Sequence, residues 1–324
     1  MKLIFKQKAC ILSAVLVLIF TQACKKKTEF KEEDGQDAID TRTVQGENDA
    51  VQSDVNNAIY SQPLLISRPS VNDKVHGTAA WVRCGLSLDS SQVTSGKLVL
   101  NYDGTTCNNR KREGQVKISI LGYPSVKWKN ENAVLKIEYI NYKVTRVSDG
   151  KFILLNGIVN ITNKTPNGGT WYDLVALGKA SIIHEVKGTG IKVKYENSLS
   201  AADYNIHRRY TYTYSNLVFT CKGEGIGTND GVANLENWGT TRKGVAFTSQ
   251  VTSPVVWNTT CGGGAPIDGE IVIKVNDKSF EMRCIFAVNS GGDEITVAPN
   301  SCAYGWKVEW KYKKKTKNRI FVYN

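Results

Sequence analysis

Beyond Pro63, apolar and polar residues alternate with a period of two in segment after segment. Val116, Ile118 and Ile120 alternate with Lys117 and Ser119, and Leu135, Ile137 and Tyr139 with Lys136 and Glu138. Tyr210, Tyr212 and Tyr214 are spaced by Thr211 and Thr213. Ile271, Ile273 and Val275 form another such run; Phe280, Met282, Cys284 and Phe286 follow, then Trp306, Val308, Trp310 and Tyr312. Side chains two apart share one face of a strand, so each run predicts a strand with one buried face. Gly, Asn, Asp and Ser between the runs predict turns, and hence antiparallel pairing. A helical period occurs only over Asp49 to Tyr60, where Ala50, Val51, Val55, Ala58 and Ile59 are spaced for one face. The expected fold is all-β, with antiparallel, sandwich-like sheets and one short N-terminal helix.

The first residues obey a different pattern. Lys2, Lys6 and Lys8 precede an apolar run from Ala9 to Phe20, shorter than the roughly 20 residues a spanning helix needs. This is the build of a secretory signal peptide over residues 1–23. Thr21-Gln22-Ala23-Cys24 ends the run and resembles the lipobox of bacterial lipoprotein precursors, in which the cysteine is diacylated and becomes the new N-terminus. The resemblance implies lipidation at Cys24 and attachment to the outer membrane, on its periplasmic face or at the cell surface. Thr-Gln-Ala also fits an ordinary leader cut after Ala23. Residues 24–46 are polar and charged, without large apolar clusters apart from Phe30, and they predict a flexible tether.

Six cysteines follow the leader and Cys24. An even number in an exported chain predicts disulfides. Cys84 is followed by a strand, a turn, Cys107 and a second strand; Cys261 is followed by the same series ending at Cys302 and Trp306 to Tyr312. This echo predicts two related, cysteine-stapled β-units, placed at residues 47–216 and 217–324. It suggests Cys84–Cys107 and Cys261–Cys302 as equivalent bridges and leaves Cys221 for Cys284; Cys261–Cys284 is a rival pairing. The short paired spacings of a zinc site are missing, so no metal and no cofactor is expected.

Asp103-Gly-Thr-Thr-Cys107 with Arg110 to Ile120, and Gly239-Thr-Thr-Arg-Lys-Gly-Val-Ala-Phe247 with Pro254 and Cys261, resemble segments of a group of β-rich lipoproteins common in Bacteroidetes. The resemblance spans roughly Val55 to Tyr312 and implies an exported β-rich protein. It carries no activity with it.

Formal charge is +12, and loss of Lys2, Lys6 and Lys8 with the leader leaves +9. In an exported protein this sign favours anionic surfaces, and no nucleic-acid partner is expected. Lys311, Lys313, Lys314, Lys315, Lys317 and Arg319 crowd the last hairpin, where charge discourages edge-to-edge sheet pairing. Catalytic patterns are weak. His76, His184 and His207 lie in no metal or triad motif, and no Gly-x-Ser-x-Gly elbow exists. Asp173, Glu185, Glu196, Asp203, Glu224 and Asp230 offer carboxylates, but their spacing singles out no pair for glycoside hydrolysis. Gly223 to Gly231 lacks the helix of a phosphate loop and the acids of an EF-hand, and reads as a turn. Trp171, Tyr172, Trp238 and Trp257 sit near turns or strand ends, where rings can stack on sugars. The expectation is a non-catalytic binding or structural module of the cell envelope, with a glycan or an envelope protein as partner. The alternative is a secreted carbohydrate-active hydrolase, which would need two acids across a cleft beside Trp171 or Trp238.

Overall fold

The alternating segments pair into one antiparallel sheet. A computed structural model describes residues 35–66, 84–261, 265–276, 281–298, 301–312 and 315–323. The leader, Cys24, the first part of the expected tether, His76, Lys313 and Lys314 lie outside them. The strands are β1 Leu86–Asp89, β2 Lys97–Cys107, β3 Arg110–Ile120, β4 Val134–Arg146, β5 Phe152–Asn163, β6 Ile182–Tyr195 and β7 Ala202–Ser215. They continue as β8 Val218–Gly225, β9 Gly227–Asn229, β10 Val232–Thr240, β11 Ala246–Asn258, β12 Pro266–Val275, β13 Glu281–Val288, β14 Gly305–Tyr312 and β15 Lys315–Val322. Neighbours follow chain order from β1 to β7 and from β10 to β15, with β7 beside β10. β8 pairs with β7 and β11, and β9 with β10.

The predicted alternation sets the buried face. Leu98, Leu100 and Tyr102 of β2, Leu135, Ile137 and Tyr139 of β4, and Ile191, Val193 and Tyr195 of β6 are buried, while the residues between them reach solvent. What they bury against is a helix, α1 Gln36–Tyr60, of 25 residues. It starts well before Asp49, so residues 36–46, expected in a tether, are helical. Ala38, Val44, Val51, Val55, Ala58 and Ile59 are fully enclosed, and each larger one contributes about 1.5–3 kcal/mol.

Much of the rest of α1 is polar, and Asp37, Asp40, Thr41, Gln45, Glu47, Asn48, Gln52 and Asp54 are buried all the same. Strands from one end of the sheet to the other hold it. Tyr102 of β2 donates to Asp54 at 2.8 Å, and Tyr139 of β4 to Asn48 at 2.8 Å. Arg110 and Arg112 of β3 both bind Glu47, Arg112 Nε at 3.0 Å. Arg242 clasps Asp40 through Nε at 2.5 Å and a terminal nitrogen at 2.7 Å. Glu236 of β10 accepts from Arg42 at 3.2 Å, and Phe286 of β13 lies 5.2 Å from the Arg42 guanidinium. Trp310 of β14 packs on Gly35. The sheet therefore curls around the helix, and the layers that face each other across the core are parts of one sheet. Over residues 36–46 the tether reading gives way to helix because the charges that neutralise α1 lie up to 202 residues away.

Close approach of strands needs glycine at particular points. Gly114 has φ +100° where β3 and β4 slip register, and a Cβ there would meet the Asn141 carbonyl oxygen at 2.2 Å.

Cys84–Cys107 and Cys261–Cys302 are bonded, with Cα atoms 6.0 and 5.5 Å apart. The expected Cys221–Cys284 bridge, and its rival Cys261–Cys284, do not form; Cys221 and Cys284 are free thiols. Cys221 sits on β8 between β7 and β11, whereas Cys284 sits on β13, with β12 between β11 and β13. A bridge needs Cα atoms within about 7 Å, closer than strands so placed allow. The expected unit boundary at 216/217 falls in the tight turn between β7 and β8, and the sheet runs on through it.

Candidate functional site

Helix α1 carries a second stripe besides its apolar one. Asp49, Gln52, Ser53, Asn56 and Asn57 recur at i, i+3, i+4, i+7 and i+8, which places them on one face. They form one wall of a cavity of about 450 Å³. Tyr210 and Tyr212 of β7, Phe219, Thr220 and Cys221 of β8, Trp257 and Asn258 of β11, and then Thr259 form the other walls. Trp171 closes one side, just ahead of a short helix, α3 Tyr172–Ala176; a shorter turn, α2 Pro63–Ile66, follows α1.

The aromatic walls have local causes. Tyr210 and Tyr212 are two apart on β7 and so face the same way; their rings stack 6.3 Å apart. Gly223 has no side chain, and the Trp257 ring fills that space, lying 3.0 Å from where a Cβ would stand. Trp171 meets Phe219 edge-on at 5.4 Å and Tyr60 at 5.1 Å. The turn before Trp171 is pinned by Asp173, whose carboxylate accepts from Gly169 N, Thr170 N and Thr170 Oγ1 at 2.8–2.9 Å.

Polar capacity in the cavity is only partly used. Asp49 Oδ1 accepts from Tyr210 at 2.5 Å and from Gln45 at 2.6 Å, and Arg208 lies 3.8 Å away. Oδ2 takes none of these bonds. Withdrawal from bulk water raises the Asp49 pKa, against the opposing pull of Arg208. Gln52 is 6% exposed and lines the cavity, and its side-chain amide makes no hydrogen bond with the described residues. Asn56 Oδ1 is buried and likewise unpartnered. Groups of this kind cost about 1–3 kcal/mol each when left unsatisfied, and here they are free to bond a molecule that enters the cavity. Cys221 shares the cavity, but burial pushes its thiol well above the usual range and leaves it a poor nucleophile.

Of the four aromatic candidates, the structure brings Trp171 and Trp257 together in this cavity. Tyr172 stands behind, 6.5 Å from the Trp171 ring and 5.3 Å from Tyr60. Trp238 is elsewhere, its ring over Gly227. Sequence reasoning passed over the polar stripe of α1, Phe219, Thr220, Asn258 and Thr259, read Tyr210 and Tyr212 only as strand residues, and read Cys221 only as a disulfide candidate. The i, i+3, i+4 spacing of Asp49 to Asn57 was a readable signal, overshadowed by the apolar stripe beside it.

The six carboxylates considered for hydrolysis do not line the cavity. Asp173 holds its turn; Glu185 pairs with Arg209, Glu196 with Arg242, Asp203 with Lys192, and Glu224 with Lys222. Asp230 accepts from Asn229 in the turn before β10. Asp49 is the single acid among the described lining residues. His184 is buried, bonded to the Gly169 carbonyl at 3.0 Å and set between the Trp128 and Tyr212 rings. Burial lowers its pKa to about 4. Among the described residues no group of three or more His, Cys, Asp or Glu converges as a metal site. A second depression, of about 90 Å³, is lined by Asp40, Glu47, Glu196, Arg110 and Arg242, which already pair with one another. No protein-family model, curated protein or solved structure matches the chain.

Proposed function

We propose that the protein is an exported envelope module, anchored to the outer membrane through lipid on Cys24, that binds a small ligand in the cavity between α1, β7, β8 and β11 without transforming it. The observation that carries this reading is the union of ring walls with unpartnered polar groups. Trp171, Trp257, Tyr210, Tyr212 and Phe219 offer apolar area, and Gln52 and Asn56 offer unspent hydrogen bonds. Ligand sites have this make-up, and their volumes run from about 300 to 1,000 Å³. The leader and Cys24 supply the address.

A carbohydrate-active hydrolase is the rival reading. Glycoside hydrolysis by the usual route needs two carboxyl groups about 5–10 Å apart across the substrate. One carboxylate lines this cavity, and it is engaged by Tyr210, Gln45 and Arg208. Binding is the better supported reading.

The test has two arms. Cells grown with labelled palmitate should yield a labelled protein, and Cys24→Ala should be unlabelled. Protein purified from envelopes should release a small molecule on denaturation, identified by mass spectrometry, that Trp257→Ala and Trp171→Ala proteins lack. An unlabelled wild type sinks the anchor; equal yields from wild type and both variants sink the cavity.

A further inference from the structure

We infer that the cavity takes a neutral saccharide, its ring faces on Trp257 and Trp171 and its hydroxyls on Asp49, Gln52 and Asn56. This rests on the reading of the cavity as a ligand site, and adds the ligand's chemistry.

The unspent groups set the first requirement. Asp49 Oδ2 and Asn56 Oδ1 are acceptors, and the Gln52 amide has one acceptor and two donors. The wall offers acceptors and donors together, so the ligand must bring both. Hydroxyl groups do both. An alkyl chain does neither, and would strand this helix wall at about 1–3 kcal/mol per unsatisfied group.

Charge sets the second requirement. Asp49 is the one lining acid, and Arg208 already stands 3.8 Å from it, with Tyr210 donating to it. A cationic ligand would enter the field of the Arg208 guanidinium. An anionic ligand would meet Asp49 with no Lys or Arg among the lining residues to receive it. Both signs are disfavoured, which leaves an uncharged polyol.

Shape sets the third. The walls opposite the helix carry the Trp171, Tyr210, Tyr212, Phe219 and Trp257 rings, and the axial C–H faces of a pyranose lie flat on such rings while its equatorial hydroxyls point sideways. A polar wall beside a ring wall suits a molecule with apolar faces and a polar rim.

The full protein, purified from envelopes in a detergent without a sugar headgroup, is titrated with cellobiose, maltose, mannobiose, di-N-acetylchitobiose, digalacturonate, glucosamine and choline. Calorimetry and tryptophan fluorescence are read together. At least one neutral disaccharide should bind at submillimolar Kd and quench the fluorescence, while the charged probes do not bind. Gln52→Ala and Trp257→Ala should each weaken that binding at least ten-fold, and Trp238→Ala should leave it unchanged. Asp49→Asn, which keeps an acceptor, should hold it within about three-fold, whereas a cation's binding would disappear. Binding of charged probes alone, no binding by any neutral disaccharide, or neutral binding indifferent to Gln52→Ala and Trp257→Ala overturns the inference. A molecule that copurifies through Trp257 while every neutral disaccharide fails would leave the ligand site standing and remove only its assignment to sugars.

Discussion

Arg208 joins the core of the fold to the cavity, and replacing it by methionine gives a sharp test of both. Its side chain is 3% exposed, as is that of Glu236, with which it makes a short ion pair; it also donates to Tyr210 at 3.0 Å and lies near Asp49. Removing one member of a buried pair costs about 3–5 kcal/mol, because the partner is left charged in a poor solvent. Here the lower end applies. Glu236 keeps Arg42 at 3.2 Å and Ser249 at 2.8 Å, and Arg208 itself already wastes a buried Nε that has no partner. Arg208→Met should therefore lose about 3 kcal/mol in urea unfolding, with an unchanged m value. In Arg208→Met/Glu236→Leu both charges are gone, and replacement of a whole pair by apolar residues is often close to neutral. The double variant should be more stable than the sum of the two single losses predicts, by at least 1 kcal/mol, a coupling within the usual range for contacting residues. A single loss below about 1 kcal/mol, or strict additivity, would refute the view that this pair is desolvated and mutually dependent.

Three other outcomes are expected. Alkylation of the unfolded, unreduced protein should modify Cys221 and Cys284 but none of Cys84, Cys107, Cys261 and Cys302, and reduction should expose all six to the reagent; mass spectrometry of peptides reads this directly. Acidification should destabilise the fold through His184, whose imidazole protonates near pH 6.5 when unfolded but stays neutral in the fold to about pH 4. Its contribution is complete above about pH 6.5 and falls by on the order of 3 kcal/mol as pH drops to 4, so His184→Phe should flatten the stability profile in that window. Gly114→Val should lower stability by more than about 3 kcal/mol, or prevent folding, because a Cβ would overlap the Asn141 carbonyl in a backbone conformation valine disfavours; circular dichroism and urea midpoints decide.

Much of the sheet was legible because its signal is local. Each strand's alternation, as in Leu135, Ile137 and Tyr139, is complete within a few residues, and so is the Cys84 to Cys107 staple with its turn. The helix was legible only from Asp49 onward, where Val51, Val55 and Ala58 mark an apolar face. Its first turns carry Asp37, Asp40, Arg42 and Glu47, a composition that reads as solvated chain. Their burial depends on Arg242, Arg110, Arg112 and Glu236, and nothing near residue 40 announces those partners. Pairing of Cys221 with Cys284 was inferred by elimination, and elimination cannot see that β12 intervenes. Trp171 and Trp257 were readable as ring platforms one by one; that they share a cavity is a property of β7–β8–β11 pairing and appears only in three dimensions.

A polar helix encircled by the strands that follow it has a consequence for how the chain matures. Residues 36–60 leave the ribosome before any of the strands, and alone they have no reason to stay helical: the apolar stripe is thin and the acids lack counter-ions. Among the described residues, the salt link to Asp40 waits for Arg242, and the ring that covers Gly35 at the head of the helix waits for Trp310. Chain ends cut short of β14 would thus leave the axle uncovered, and quality-control proteases should clear such fragments rather than let them accumulate.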